Sequence, residues 1–286
     1  SYADWEGIVY PEARDKKFDA LGYLVQYFNT IEVNSSFYRP PTEKVAKSWA
    51  QRVSHNPDFL FTYKLWQRFT HERKSYPSAD DERLVKLGLD VLKAENKLGA
   101  LLVQFPWSFR RNEQNLSWLQ KILHQFQDYS PVVEVRHESW NNEQFYRFLT
   151  DHQGGFANID QPVIGKSLPL LRQVTTEVSY LRLHGRNYDN WFASDATAAS
   201  RYDYLYNEDE LNSIKHKIED LMENSSKTFI IFNNHYRGQA AANALQMLFL
   251  LSGQKPMAPE NLPVYYPQLK AIVNFKAQQN SQSDLF

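Results

Sequence analysis

Six of the seven strand-like segments in this chain end on two polar residues spaced i and i+2: Glu32/Asn34, Thr62/Lys64, Glu134/Arg136, Asn158/Asp160, Arg182/His184 and Asn233/His235. In an extended strand that spacing puts both side chains on one face, so the repetition predicts one shared polar site. Glu32, Glu134 and Asp160 supply negative charge, and Lys64, Arg136 and Arg182 positive charge. His137, His184 and His235 are placed to carry protons near neutral pH. This mixture suits metal-free acid–base chemistry on an anion, with Glu32 or Glu134 as base, Lys64 or His184 as acid, and Arg136 and Arg182 holding the substrate. A metal-assisted phosphodiester hydrolase would instead use Glu134, Asp160, His184 and His235 as ligands. No His-x-His or His-Glu-x-x-His spacing supports that alternative, and neighbouring Lys and Arg would repel a cation. A glycosidase would need Glu32 and Glu134 as its carboxylate pair. The bland reading is an ion-pair network that satisfies only itself.

These residues must be positioned by alternating elements. Apolar runs at Thr30–Ser35, Phe59–Leu65, Ala100–Phe105, Val132–Arg136, Gly155–Ile159, Ser179–His184 and Thr228–Asn234 read as strands. Helical spacing covers Thr42–Val53, Asp80–Asn96, Asn115–Phe126, Asn141–Asp151, Glu208–Met222 and Gln239–Leu251, with an earlier helix over roughly Asp15–Phe28. Alternation of this kind predicts parallel βα units, and the strand count and length predict an α/β TIM-type barrel. Seven strands are visible where such a barrel has eight. Because Ser1 is not a methionine, the first strand is expected upstream of this sequence, leaving a barrel with an open seam. Gln161–Thr176 is expected to be a loop. The barrel is expected to span residues 1–273, and 274–286 to form a polar, flexible tail.

Two further features point to a ligand. The sixth visible strand is followed by His184-Gly185-Arg186-Asn187, and the seventh by Asn234-His235-Tyr236-Arg237-Gly238, which opens a helix. Barrels often hold phosphate between such loops, on loop amides and a helix N-terminus, so Arg186, Asn234, Arg237 and Gly238 are expected to bind substrate with Asn34, Gln104, Asp160 and Asn233. Phe37, Tyr38, Trp66, Phe105, Trp107, Trp140 and Trp191 lie near strand ends and could form an aromatic rim for a planar, nucleotide-like ring. No cofactor is expected.

Composition sets the frame. Of 286 residues, 42% are hydrophobic, enough for a large core, and the formal charge of −1 gives no global attraction to nucleic acid or anionic lipid. The absence of cysteine excludes thiol catalysis and disulfides. No apolar run approaches the ~20 residues of a membrane span, so the protein is expected to be cytoplasmic and to have no membrane partner.

The runs Ile31-Glu32-Val33-Asn34-Ser35-Ser36-Phe37-Tyr38-Arg39, Thr70-His71-Glu72-Arg73, Val103-Gln104-Phe105-Pro106, Glu134-Val135-Arg136-His137-Glu138-Ser139-Trp140, Arg182-Leu183-His184-Gly185-Arg186 and Phe232-Asn233-Asn234-His235 resemble the YecE-like family, domain of unknown function 72. The resemblance covers nearly the whole chain and implies a TIM-type barrel, leaving the reaction open. It also implies an apolar strand with a Gly-x-Ser-x-Trp-like segment ahead of Tyr2–Trp5. Separately, Gln282-Ser283-Asp284-Leu285-Phe286 resembles the peptides that dock on bacterial sliding clamps, with Gln282 as polar anchor and Leu285 and Phe286 as apolar ones. A non-enzymatic, clamp-associated adaptor or ligand-binding barrel is therefore the competing class of function.

Overall fold

The computed structural model describes residues 2–12, 18–189, 191 and 197–275, apart from the side chains of 198 and 199. Among the described residues seven parallel strands run in sequential order: β1 (Thr30–Val33), β2 (Leu60–Lys64), β3 (Leu98–Gln104), β4 (Pro131–Glu134), β5 (Gly155–Asp160), β6 (Val178–Leu183) and β7 (Lys227–Phe232). They form a nearly closed α/β barrel in which β7 and β1 are not hydrogen-bonded neighbours. The expected seam therefore lies between these two strands.

The helices start where local chemistry starts them. Thr42, Ser78, Asn112, Asn142 and Asn207 each accept a backbone N–H three residues on, which satisfies an orphan donor of the first turn. The helices that follow are Glu43–Arg52, Ala79–Ala94, Glu113–Gln125, Glu143–Asp151 and Glu208–Glu223, within two residues of the sequence expectation at each end. The earliest helix is shorter than expected. It covers Ala20–Leu24, because Asp19 caps it by accepting from Gly22; residues 13–17 lie outside the described residues. Residues 161–177 hold no helix or strand, as expected of a loop.

Register fixes which residues face inward. Glu32 pairs with Thr62, Thr62 with Ala100, Lys64 with Leu102, Leu102 with Val132, and Gln104 with Glu134. Across the other half, Ala157 pairs with Tyr180, Ile159 with Arg182, and Arg182 with Ile231. Toward the strand N-termini the interior is apolar, filled by Ala100, Leu102, Val132, Ala157, Tyr180, Phe229 and Ile231. Its opposite end carries the charge. A Cβ on Gly99 would lie 2.8 Å from Phe229 Cε1 and 3.2 Å from Leu60 Cβ, so Gly99→Ala is expected to lower stability by about 1–3 kcal/mol through overpacking, measurable by urea unfolding.

Candidate functional site

At the C-terminal end of the strands, Arg182 forms the hub of a buried cluster. Its Nε and Nη2 donate to Glu32 Oε2 and Oε1 at 3.0 and 2.7 Å, and Nη1 donates to Glu134 Oε2 at 2.5 Å. All three guanidinium nitrogens are thus committed to carboxylates. Arg136 Nε donates to Glu134 Oε1 at 2.9 Å and its Nη2 forms an ion pair with the same oxygen at 2.8 Å, which leaves Nη1 without a hydrogen-bond partner among the described residues. The Tyr180 hydroxyl lies 2.9 Å from both Glu32 Oε2 and Thr62 Oγ1, able to donate to one and accept from the other. His184 Nδ1 lies 3.1 Å from Asn233 Nδ2, and its Nε2 lies 3.6 Å from Glu134 Oε1 and 3.5 Å from Arg182 Nη1. Gln104 faces the same interior beside Glu134 and donates to the Phe105 carbonyl.

Lys64 differs from the rest. Its ammonium has no hydrogen bond or ion pair among the described residues, and its close neighbour is the Phe37 ring, 4.1 Å from the centroid. Ser36, fully buried, sits between the carbonyls of Val33 (2.6 Å) and Lys64 (2.7 Å) and ties the ends of β1 and β2 together. Two carboxylates, Glu32 and Glu134, balance two guanidiniums, Arg136 and Arg182. Lys64 is the surplus charge.

Titration follows from this arrangement. Burial lowers the Lys64 ammonium to about 8, and Arg182 pushes the same way against the pull of Glu32 and Glu134. Burial alone would raise Glu134, but the Arg182 and Arg136 guanidiniums overcome it and hold the carboxyl well below its ordinary range. His184 falls to about 3, chiefly by burial, and His71, beside Phe37, falls to about 4 by burial and then by the Lys64 charge. Both imidazoles are neutral at pH 7. His184 therefore lacks the proton that a general acid would give, which removes one of the two expected acids and leaves Lys64.

The six polar pairs do not all converge. Because Ala157 and Ile159 face inward, Asn158 and Asp160 face out. Asn158 exchanges two hydrogen bonds with the Gln173 backbone and so anchors the 161–177 loop. Asp160 accepts from Arg186 Nε and Nη2 and from the buried Tyr206 hydroxyl at 2.7 Å. Arg186 also donates to Glu210. Asp160→Asn is accordingly expected to destabilise the fold by about 1–3 kcal/mol, from a weakened buried charged network, which urea unfolding of the variant checks.

The expected phosphate loops are filled by the protein's own groups. Arg186 is held as above. The Arg237 amide donates to Asp4 Oδ2 at 2.6 Å, and its carbonyl accepts from Tyr266. Gly238, at φ +84°, lets Val9 approach where a Cβ would lie 2.7 Å from Val9 Cγ2. Asn234 is buried against the Tyr204 carbonyl and Asn243. Arg186, Asn234 and the Arg237 backbone thus spend these hydrogen bonds on the protein's own groups.

The aromatic expectation divides in the same way. Trp140 is fully buried, stacks on Phe109 and donates to the Phe109 carbonyl, and Phe105 stacks on the other side of Phe109. Both are packing residues. Tyr38 is 70% exposed. Phe37 lies at Lys64, and Trp191 lies 5.9 Å from the Arg136 guanidinium and 6.0 Å from the His184 ring. Asn34 has left strand geometry (φ −81°, ψ −21°) just past β1. His137 turns to Ser139 and Trp107 rather than to the cluster.

Several neighbours escaped the spacing argument. Tyr180 shares the inward phase of Arg182 and His184, so strand parity could have found it. Tyr2, Tyr202 and His71 come from outside the strands. Tyr2 stacks on His235 at 4.4 Å and 9°, near the seam, and its phenol is raised to about 12 by burial and then by Glu32. Tyr202 links His235 (5.2 Å) to His184 (6.1 Å). Gln282, Leu285 and Phe286 lie outside the described residues, so the clamp-docking expectation rests on sequence alone. No helix among the described residues is long and apolar enough to cross a membrane.

The family model described as "Protein of unknown function DUF72" matches residues 1–264. The UPF0759 protein YunF of Bacillus subtilis (strain 168) is 30% identical over 279 residues, covering 92% of this chain and 97% of YunF. Among solved structures, a DUF72 family protein of Thermotoga maritima MSB8 is similar at TM-score 0.76 and 35% identity, over 88% of this chain and 95% of that one. Another from Enterococcus faecalis V583 gives TM-score 0.75 at 28% identity, over 82% and 89%. Family model, relative and barrel agree: the chain belongs to the DUF72 family.

Proposed function

We propose that the cluster is the active site of an enzyme that carries out metal-free acid–base chemistry on a small anionic substrate bearing a phosphate or carboxylate. The observation that carries this reading is the unbalanced charge of Lys64. A network serving only the fold has no use for a half-buried ammonium without a counter-ion, since withdrawing such a charge from water is costly. An incoming anion would supply the missing charge and would find donors in the Lys64 ammonium and Arg136 Nη1. Arg182, with all three nitrogens engaged, would position Glu32 and Glu134 instead of touching substrate. Lys64 is the proton carrier suited to neutral pH, because a group titrating near 8 can both give and take a proton there. Glu134, held down by two guanidiniums, is a weak base.

The hydrolase alternative finds less support, because no three His, Asp or Glu side chains gather as a ligand set among the described residues. Thermal unfolding in the presence of inorganic phosphate, phosphorylated sugars, nucleotides and short carboxylates tests the proposal. A ligand at about 100 times its dissociation constant adds roughly 2.7 kcal/mol. Stabilisation by at least one of these anions, lost in Arg136→Met, is expected; equal response of wild type and Arg136→Met to every anion would contradict it.

A further inference from the structure

The site points to a narrower chemistry, which rests on the reading just given. We infer that Lys64 is a nucleophile that forms an imine with the carbonyl carbon of its anionic substrate, so that the substrate class is an oxo acid or a phosphorylated aldehyde or ketone. Three features of the geometry carry this. The four other charges of the cluster cancel in pairs, Arg182 with Glu32 and Arg136 with Glu134, so the state in which Lys64 is a neutral amine is the self-balanced one. Its nitrogen has no hydrogen-bond partner, donor or acceptor, among the described residues, so the lone pair, once free, is not engaged by another group. The Phe37 ring covers the ammonium on one side at 4.1 Å, while Arg136 keeps Nη1 available for the anionic end of a bound molecule. An arginine could hold that anion equally well but cannot become a nucleophile; the cluster has a lysine where only a lysine adds something.

Burial supports the same assignment, since an ammonium lowered to about 8 leaves roughly a tenth of the amine free at pH 7. The step balances without an oxidant or reductant. The amine nitrogen bonds to the carbonyl carbon, the carbon–oxygen bond breaks through a carbinolamine, and the oxygen leaves as water carrying the two amine protons, which leaves a carbon–nitrogen double bond.

The test is reductive trapping on the wild-type protein. Incubation at pH 7 with glyoxylate or glyceraldehyde 3-phosphate and cyanoborohydride, followed by peptide mapping, is expected to place the reduced adduct on Lys64 at least about tenfold faster than on exposed Lys44. Inorganic phosphate should slow the Lys64 adduct and leave that on Lys44 unchanged. The adduct should vanish from Lys64→Arg, whose folding is checked by its cooperative unfolding. Labelling of Lys64 no faster than Lys44, with phosphate still stabilising the protein, would overturn the imine and leave the anion site standing. Absence of both selective labelling and phosphate stabilisation would overturn both.

Discussion

Arg182→Met is expected to destabilise the protein by about 3–5 kcal/mol at pH 7, the cost of stranding buried carboxylates without their partner. Glu32 and Glu134 side chains are 3% and 0% exposed, and all three Arg182 nitrogens are spent on them. The pH dependence has a definite sign. In the wild type Glu134 is depressed, so its pairing contributes stability above the ordinary carboxylate range and loses it as pH falls through the folded value. Without Arg182 the carboxyl rises, and protonation relieves the stranded charge earlier. The gap between variant and wild type should therefore narrow from pH 7 to about pH 5 in urea unfolding. A gap that stays constant or widens would mean that charge is not what the arginine contributes.

Lys64→Met is expected to do the opposite. The ordinary lysine value of 10.5 falls to about 8 in the folded protein, so the charged form opposes folding. At about 1.4 kcal/mol per unit, discounted for the partial exposure of this side chain, removing the charge should stabilise the fold by about 1–3 kcal/mol at pH 7. Below pH 8 both folded and unfolded states hold the proton and the penalty is complete. Between 8 and 10.5 the unfolded state holds more protons, wild-type stability rises with pH, and the advantage of Lys64→Met should shrink. The same variant should lose anion-induced stabilisation. A more stable protein that binds less is the signature of a group kept for function rather than for the fold. A destabilised Lys64→Met would instead make the lysine a structural member of the network.

Much of this was legible in residue types and order. Alternating apolar runs and helical spacings determine the parallel barrel and place the ends of the helices that Thr42, Ser78, Asn112, Asn142 and Asn207 cap within two residues, because these signals are local. Glu32, Thr62, Lys64, Glu134, Arg136, Arg182, His184 and Asn233 were legible for the same reason, since a period of two needs no tertiary information, whereas Asn34 and His235 have left strand geometry. The phase of β5 was not. Asn158 and Asp160 have the same spacing as Arg182 and His184, yet register with β6 turns them outward, and one residue of phase exchanges the two faces of a strand. Their outward partners, the Gln173 backbone, Arg186 and Tyr206, lie 15 to 46 residues away along the chain. Arg186 and the backbone amide of Arg237 looked like anion donors because loop position says nothing of competing carboxylates; Asp160 and Glu210 reach the Arg186 guanidinium, and Asp4 the Arg237 amide, only in the folded chain. Tyr2, His71 and Tyr202 enter the site from segments without periodicity. Lys64 was identified as a candidate from its strand position, but its lack of a counter-ion is a property of five side chains together.

The central claim is that Lys64 carries an unbalanced, readily lost charge that an anion completes. Its titration can be followed directly by carbon-13 NMR of lysine-labelled protein, with the Lys64 signal identified by its absence from Lys64→Met, over about pH 6 to 11, with and without inorganic phosphate. A midpoint near 8 that moves upward when phosphate binds is the predicted result. A midpoint near 10.5 that phosphate leaves in place would contradict the account.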